Sequence, residues 1–210
     1  KRFLGLLEEM PANLANLKNK LMFYIAVTTG ARKGEFLGLT WERVDLENRS
    51  LYINKSLKFV NGMKPVLGKP KTEKSERTLY FDEYVRELFI EYKAAVDKWL
   101  KENKLTNPQN FVFVSRNWNE KREVLPVNGD SFYLWLKRMC KKHNMPRIAV
   151  HSLRAMAATN ALISGMPLNL VQTMMGHANI ATTSIYLRDV QDERKIASNL
   201  LAQHFENLRK

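Results

Sequence analysis

The stretch "HSLRAMAATNALISGMPLNLVQTMMGHANIATTSIYLRDV", residues 151–190, holds two of the chain's four histidines, His151 and His177. Arg154 stands one helical turn after the first, and Tyr186 nine residues after the second. These residue types do chemistry: imidazole moves protons near neutral pH, and guanidinium holds an oxyanion through paired N–H donors. A phenol that loses its proton attacks as a nucleophile. Nearer the start, Arg32 and Glu35 in "TTGARKGE" again lie one turn apart, and Lys71 sits beside a polar turn among Lys64, Lys69 and Lys74.

Taken singly, each has an ordinary structural explanation. His151 and Arg154 are i and i+3 neighbours on a helix face. His177 follows Gly176, where a helix should stop. Most tyrosines are packing residues whose hydroxyl has found a partner. Arg32 and Glu35 read as a local ion pair of small value, and Lys71 as one solvated lysine among several.

The elements that must position them are mostly helical. Leu14, Leu17, Leu21, Ile25 and Thr28 recur at helical spacing, and Gly30 is placed to end that helix. From Ser50 to Phe81 the pattern turns to β: "SLYINKSLKFV", an Asn61-Gly62 turn, "MKPVLGKPK", the polar turn "TEKS", then "ERTLYF". That predicts a three-stranded antiparallel meander. Asp82 is placed to cap a long helix with Val85, Leu88, Phe89, Tyr92, Val96 and Trp99 on one stripe. "FVFVS" reads as a short strand or a buried extended segment. Phe132, Trp135, Leu136 and Met139 mark another helix, two more occupy residues 151–190, and Ile196, Leu200, Phe205 and Leu208 mark a terminal amphipathic segment. The expected class is α+β, mainly helical, with one small three-stranded antiparallel sheet.

Composition bounds the function. The 210 residues carry 34 Lys and Arg against 21 Asp and Glu, a net +13 spread along the chain, which points to a polyanionic partner. One cysteine, Cys140, excludes an internal disulfide framework and multi-cysteine metal sites, and an intracellular location follows as the default. No apolar run reaches the ~18 residues of a membrane span. The chain begins without Met and directly in a helical pattern, which reads as a piece of a longer protein.

The conjunction of motifs carries more than any one of them. "TTGARKGEFLGLTW", "KPKTEKSERTLYF", "HSLRAMAATN" and "MMGHANIATTSIYLRDV", in this order, resemble the catalytic domain of the tyrosine recombinases, the phage and mobile-element integrases and their relatives. The resemblance covers nearly the whole chain, up to about Val190. It implies that Arg32 is the first catalytic arginine, with Glu35 a buttressing carboxylate. It places Lys71 on the family's hairpin lysine, with Lys69 and Lys74 as alternatives. His151 and Arg154 match its His-x-x-Arg box, His177 its His-or-Trp position, and Tyr186 its nucleophile. Two departures stand out: Ala155 and Met156 follow Arg154 where the family commonly has His-Thr, and Arg43 replaces an acid often found after the tryptophan.

The implied reaction is physically coherent with these residue types. In-line attack on a phosphodiester builds negative charge on phosphorus, which Arg32 and Arg154, with His177 as a third donor, are suited to stabilise. A phenol with pKa about 10 needs a base or strong positive charge, and His151 is the candidate base. Lys71 is the candidate acid for the leaving 5′ oxygen. The product implied is a 3′-phosphotyrosyl link to Tyr186, formed without metal, cofactor or ATP.

The resemblance further implies a catalytic domain over residues 1–190, a tail helix over 191–210 that docks in cis or in trans, and N-terminal DNA-binding domains outside this sequence. Partners implied are double-stranded DNA, a homotetramer on two DNA sites, with the 210-residue piece alone monomeric, and accessory directionality or DNA-bending proteins, in a bacterial cytoplasm and away from membranes. Lys64, Lys69, Arg116, Lys121, Arg122, Lys137, Arg138, Lys141 and Lys142 are expected to track phosphates. An Xer-like resolvase, a type IB topoisomerase-like enzyme, a catalytically silent DNA-binding relative and a metal-dependent nuclease are the alternatives.

Overall fold

Asn13 begins the helix on which the rest is built. Its side chain accepts a hydrogen bond from the Asn16 N–H at 3.1 Å, satisfying one of the free donors of the first turn of α2 (Leu14–Thr29). The computed structural model describes residues 2–58, 65–68, 75–188 and 190. α2 buries Leu17, Leu21, Met22, Phe23, Ile25 and Ala26, and packs between α4 (Glu83–Glu102) and α6 (Val150–Ile163). At its C-terminal end Thr29 faces inward while Thr28 is exposed and returns its hydroxyl to the Tyr24 carbonyl. α1 (Arg2–Glu8) precedes it, tied on by Glu8, which accepts from Lys20, Tyr24 and Tyr84.

Gly30 ends α2 with φ 65°, a left-handed conformation that a side chain resists. A Cβ there would also stand 2.8 Å from the Met175 sulfur. The tight exit leads into α3 (Lys33–Leu37) and a 3-10 turn (Trp41–Arg43).

The β region departs from a simple meander. β1 (Val44–Asp45), β2 (Ser50–Ile53) and β5 (Arg77–Tyr80) form the three-stranded antiparallel sheet, with Leu51 opposite Leu79. β3 (Ser56–Lys58) and β4 (Val66–Gly68) form a separate hairpin. The expected single strand from Ser50 onward is interrupted at Asn54 and Lys55, so its first half pairs with β5 and its second half crosses to α3, where Leu57 is buried. The Asn61-Gly62 turn and the "TEKS" turn largely lie outside the described residues.

Asp82 caps α4 as expected, accepting from the Val85 N–H at 2.9 Å. Such a cap is worth about 1 kcal/mol. Beyond α4, Phe111, Val112, Phe113 and Val114 are buried, and Val114–Trp118 is a strand, β6, paired antiparallel with β7 (Val124–Pro126). α5 (Ser131–Lys142), α6, α7 (Leu168–Met175) and a helical stretch over residues 180–188, α8, complete the fold. The large core joins α1 to α6; a smaller one joins Ala158, Leu162, Val171, Met175, Tyr186 and Val190. The stripe through Ile196 and Leu208 lies outside the described residues. Among the described residues no helix is long and apolar enough to cross a membrane.

Candidate active site

Two glycine turns bring the polar side chains together. The Gly30 turn points its carbonyl at α6, where Arg154, only 4% exposed, donates Nη1 to it at 2.5 Å. The second turn is Gly176, which closes α7 at φ 62°; a Cβ there would stand 3.0 Å from an Arg77 nitrogen. Arg154 Nη2 donates to the Met175 carbonyl and, at 3.1 Å, to Nε2 of His177. Arg32 Nη2 donates to the Gly176 carbonyl at 3.1 Å. Both arginines are thus held by backbone carbonyls of the same short segment, with charge to spare for an anion.

Glu35 is the organising carboxylate. It is 2% exposed and accepts from the Arg32 backbone N–H at 2.7 Å and from Arg32 Nη1 at 2.9 Å. Its other face receives Arg77 from β5, Nη1 at 3.2 Å and Nη2 at 2.9 Å, a two-pronged grip. Arg77 also donates Nε to Met174 at 2.7 Å and Nη1 to Ser75 at 2.9 Å. Burial pushes the Glu35 carboxyl up, but the hydrogen bonds and charge of Arg77, then Arg32, outweigh it and hold the group below its ordinary value.

Three guanidiniums against one carboxylate leave excess positive charge in a partly dry site, and its effects are legible. Arg154 falls to about 10, through burial first and then the charge of Arg32, and stays protonated at neutral pH. His177 falls to about 4, through burial first and then Arg154, Arg32 and Arg77. A guanidinium only donates, so neutral His177 accepts at Nε2 and carries its proton on Nδ1, toward the Thr183 hydroxyl 3.0 Å away. In this state Nε2 is engaged with Arg154. Tyr186, 7% exposed, stacks on the His177 ring at 6.5 Å between centroids and 17° between planes.

Arg32, His151 and Arg154 line one open cleft of about 560 Å³, with Lys33, Ser56, Asp130, Tyr133 and Val150 on its walls. Tyr186 is not on those walls and connects to Arg154 through His177. Among the described residues no three His, Cys, Asp or Glu side chains converge as metal ligands.

The chain matches the phage integrase family from residue 2 to residue 193. It belongs to that family. It is 28% identical over 193 residues to the tyrosine recombinase XerA of Pyrococcus horikoshii, covering 89% of this chain and 58% of the relative. It is 32% identical over 177 residues to the transposase from transposon Tn916 of Enterococcus faecalis, covering 80% and 42%. Among solved structures, the Tn1549 transposon integrase in complex with circular intermediate DNA superposes with a TM-score of 0.70 at 25% identity, over 88% of this chain and 59% of that one. The XerA recombinase crystal structure shares the fold, with a TM-score of 0.62. The chain therefore spans about half the length of the relatives it matches.

In this phage integrase family member, Arg32, Glu35, His151, Arg154, His177 and Tyr186 fall in one connected region built from the α2–α3 turn, α3, α6, the α7–α8 turn and α8. Lys71, with Lys64, Lys69 and Lys74, lies outside the described residues. The surface cations are not among the residues lining the cleft: Lys137, Arg138, Lys141 and Lys142 are exposed on α5, and Arg116 and Lys121 on the β6–β7 hairpin. Arg122 donates to the Asn103 and Lys104 carbonyls at the end of α4. Sequence reading missed Arg77 and Thr183. Strand alternation was the signal for Arg77, since it shares the inward face with Leu79.

Proposed function

We propose that the protein is a site-specific DNA recombinase of the integrase type, which cuts and rejoins DNA for a phage or mobile element. The observation that carries this reading is the pair Arg32 and Arg154 facing one cleft with His151, while Tyr186 is joined to Arg154 through His177. Two permanent cations are set at fixed positions by backbone carbonyls, so they need little reorganisation when charge builds on phosphorus.

In this mechanism the Tyr186 oxygen bonds to phosphorus as the bond to the 5′ oxygen breaks. His151 takes the phenolic proton, and Lys71 supplies one to the departing 5′ oxygen. The 3′-phosphotyrosyl link conserves the bond, and a 5′-hydroxyl from another strand reverses the step. Phosphate binding neutralises the guanidiniums around His177, which frees Nε2 and favours its protonation, so His177 becomes a donor when the substrate is in place. The Tn1549 integrase structure contains DNA, which supports duplex DNA as the partner here. A homotetramer on two sites, accessory DNA-bending proteins, a docking tail over residues 191–210 and action on the bacterial nucleoid belong to the same reading.

The test is a nicked duplex built from the junction of the element that carries the gene, incubated with the protein in excess EDTA. A protein–DNA complex that survives denaturing electrophoresis is the expected result. Cleavage seen only after magnesium is restored contradicts the reading, and binding with no covalent complex leaves a silent DNA-binding relative.

A further inference from the structure

Tyr133 lines the cleft from α5, beside Val150 and His151. Its hydroxyl accepts a hydrogen bond from Arg147 Nη2, and the Arg147 guanidinium lies over its ring at 5.3 Å. Arg147 is exposed and has no carboxylate within ion-pair distance among the described residues. Stacking on an aromatic face and a hydroxyl partner fix the plane of the guanidinium while leaving its charge uncompensated. A purely structural arginine is usually matched to a carboxylate or to backbone carbonyls, as Arg77 is here.

The cleft, at about 560 Å³, is open and larger than one phosphate group needs. Arg32 and Arg154 account for one phosphate, so the nucleotides on either side must rest on the remaining walls. We propose that Tyr133 and Arg147 form a second phosphodiester subsite, in which Arg147 holds the backbone phosphate beside the one at Arg32 and Arg154. The ring of Tyr133 acts as the platform that orients Arg147. Asp130 also lies on the rim and is 76% exposed; Lys33, 3.8 Å away, offsets its charge, so the wall remains open to an anion. This inference rests on the DNA-cleaving reading above.

Binding of the nicked duplex is measured by fluorescence anisotropy across a salt series, with single methylphosphonate replacements placed at successive phosphates flanking the cleavage point. Arg147→Met is expected to weaken binding about tenfold and to lower the slope of log K against log salt by about 0.9. Arg147→Lys is expected to recover the slope. One flanking methylphosphonate should weaken binding by the wild type but add nothing to Arg147→Met, because the same contact is already gone. Tyr133→Leu should weaken binding while keeping the slope, since the charge remains and its orientation is lost. If Arg147→Met binds with unchanged affinity and slope, or if every methylphosphonate adds equally to it, the subsite does not exist. A wild type that binds DNA without salt dependence and forms no covalent complex would instead remove the underlying reading.

Discussion

Replacing Arg77 by Met tests how the site is held together. The substitution removes four hydrogen bonds, to Met174, Ser75 and both oxygens of Glu35. It leaves a carboxylate that is 2% exposed with Arg32 as its remaining cation. Deleting one partner of a buried pair costs about 3–5 kcal/mol; because Arg32 stays on Oε1, we expect the low end, about 3 kcal/mol. With a urea m-value of about 3 kcal/mol per molar for a chain of this size, the unfolding midpoint should fall by about 1 M. Glu35→Gln combined with Arg77→Met removes the stranded charge and should be more stable than Arg77→Met alone. Glu35 also sets a pH signature. Its folded pKa lies below 4.5, so its contribution is complete above that pH and is lost as pH falls and the unfolded state takes up protons first. The double variant lacks this acid dependence. An unchanged midpoint for Arg77→Met, or a double variant no better than the single, would refute the account of Glu35 as a charge held by Arg77.

Further outcomes follow from the same geometry. His177, at about 4 in the free protein, should titrate higher when DNA fills the cleft, readable as imidazole shifts in NMR; the free protein should lose the associated stability as pH falls from about 6.5 toward 4. Thr183→Val removes the partner of His177 Nδ1 and should slow cleavage while DNA affinity is kept. Gly30→Ala meets both a left-handed backbone and the Met175 sulfur, so it should cost at least about 1–2 kcal/mol by thermal unfolding. Arg32→Ala and Arg154→Ala should each lower the cleavage rate by about a hundredfold or more; near-normal rates would place the pocket elsewhere.

The groups proposed here to be catalytic can be picked out of the sequence because each sits at a local signal. Arg32 and Glu35 follow a helix-ending glycine, His151 and Arg154 share a helix face, and His177 follows a second glycine. What sequence alone did not show is the long-range partner of each. Arg154 reaching Gly30 and Arg77 reaching Glu35 are contacts between distant segments, the first set by the packing of α6 on α2 and the second joining β5 to α3. In the β region the segments from Ser50 onward are legible as strands, but their pairing is not, because the break at Asn54 and Lys55 sends consecutive segments into different sheets and the third strand of the larger sheet is the short β1. The β6–β7 hairpin has no clear sequence signal, because the connecting run "NEKRE" holds no Asn-Gly or Pro-Gly pair and makes its turn between Asn119 and Arg122, the latter at φ 61°. Tyr133 lies on α5 and Arg147 in the segment between α5 and α6, and neither has a neighbour in sequence that announces the stack.

The most direct measurement traps the reaction on the nicked duplex in EDTA, digests the complex and identifies the DNA-bearing peptide by mass spectrometry, with Tyr186→Phe alongside. The account predicts a nucleotide adduct on Tyr186 in the wild type, and in the variant DNA binding with no adduct. An adduct on another residue, or cleavage that persists in Tyr186→Phe, would contradict it.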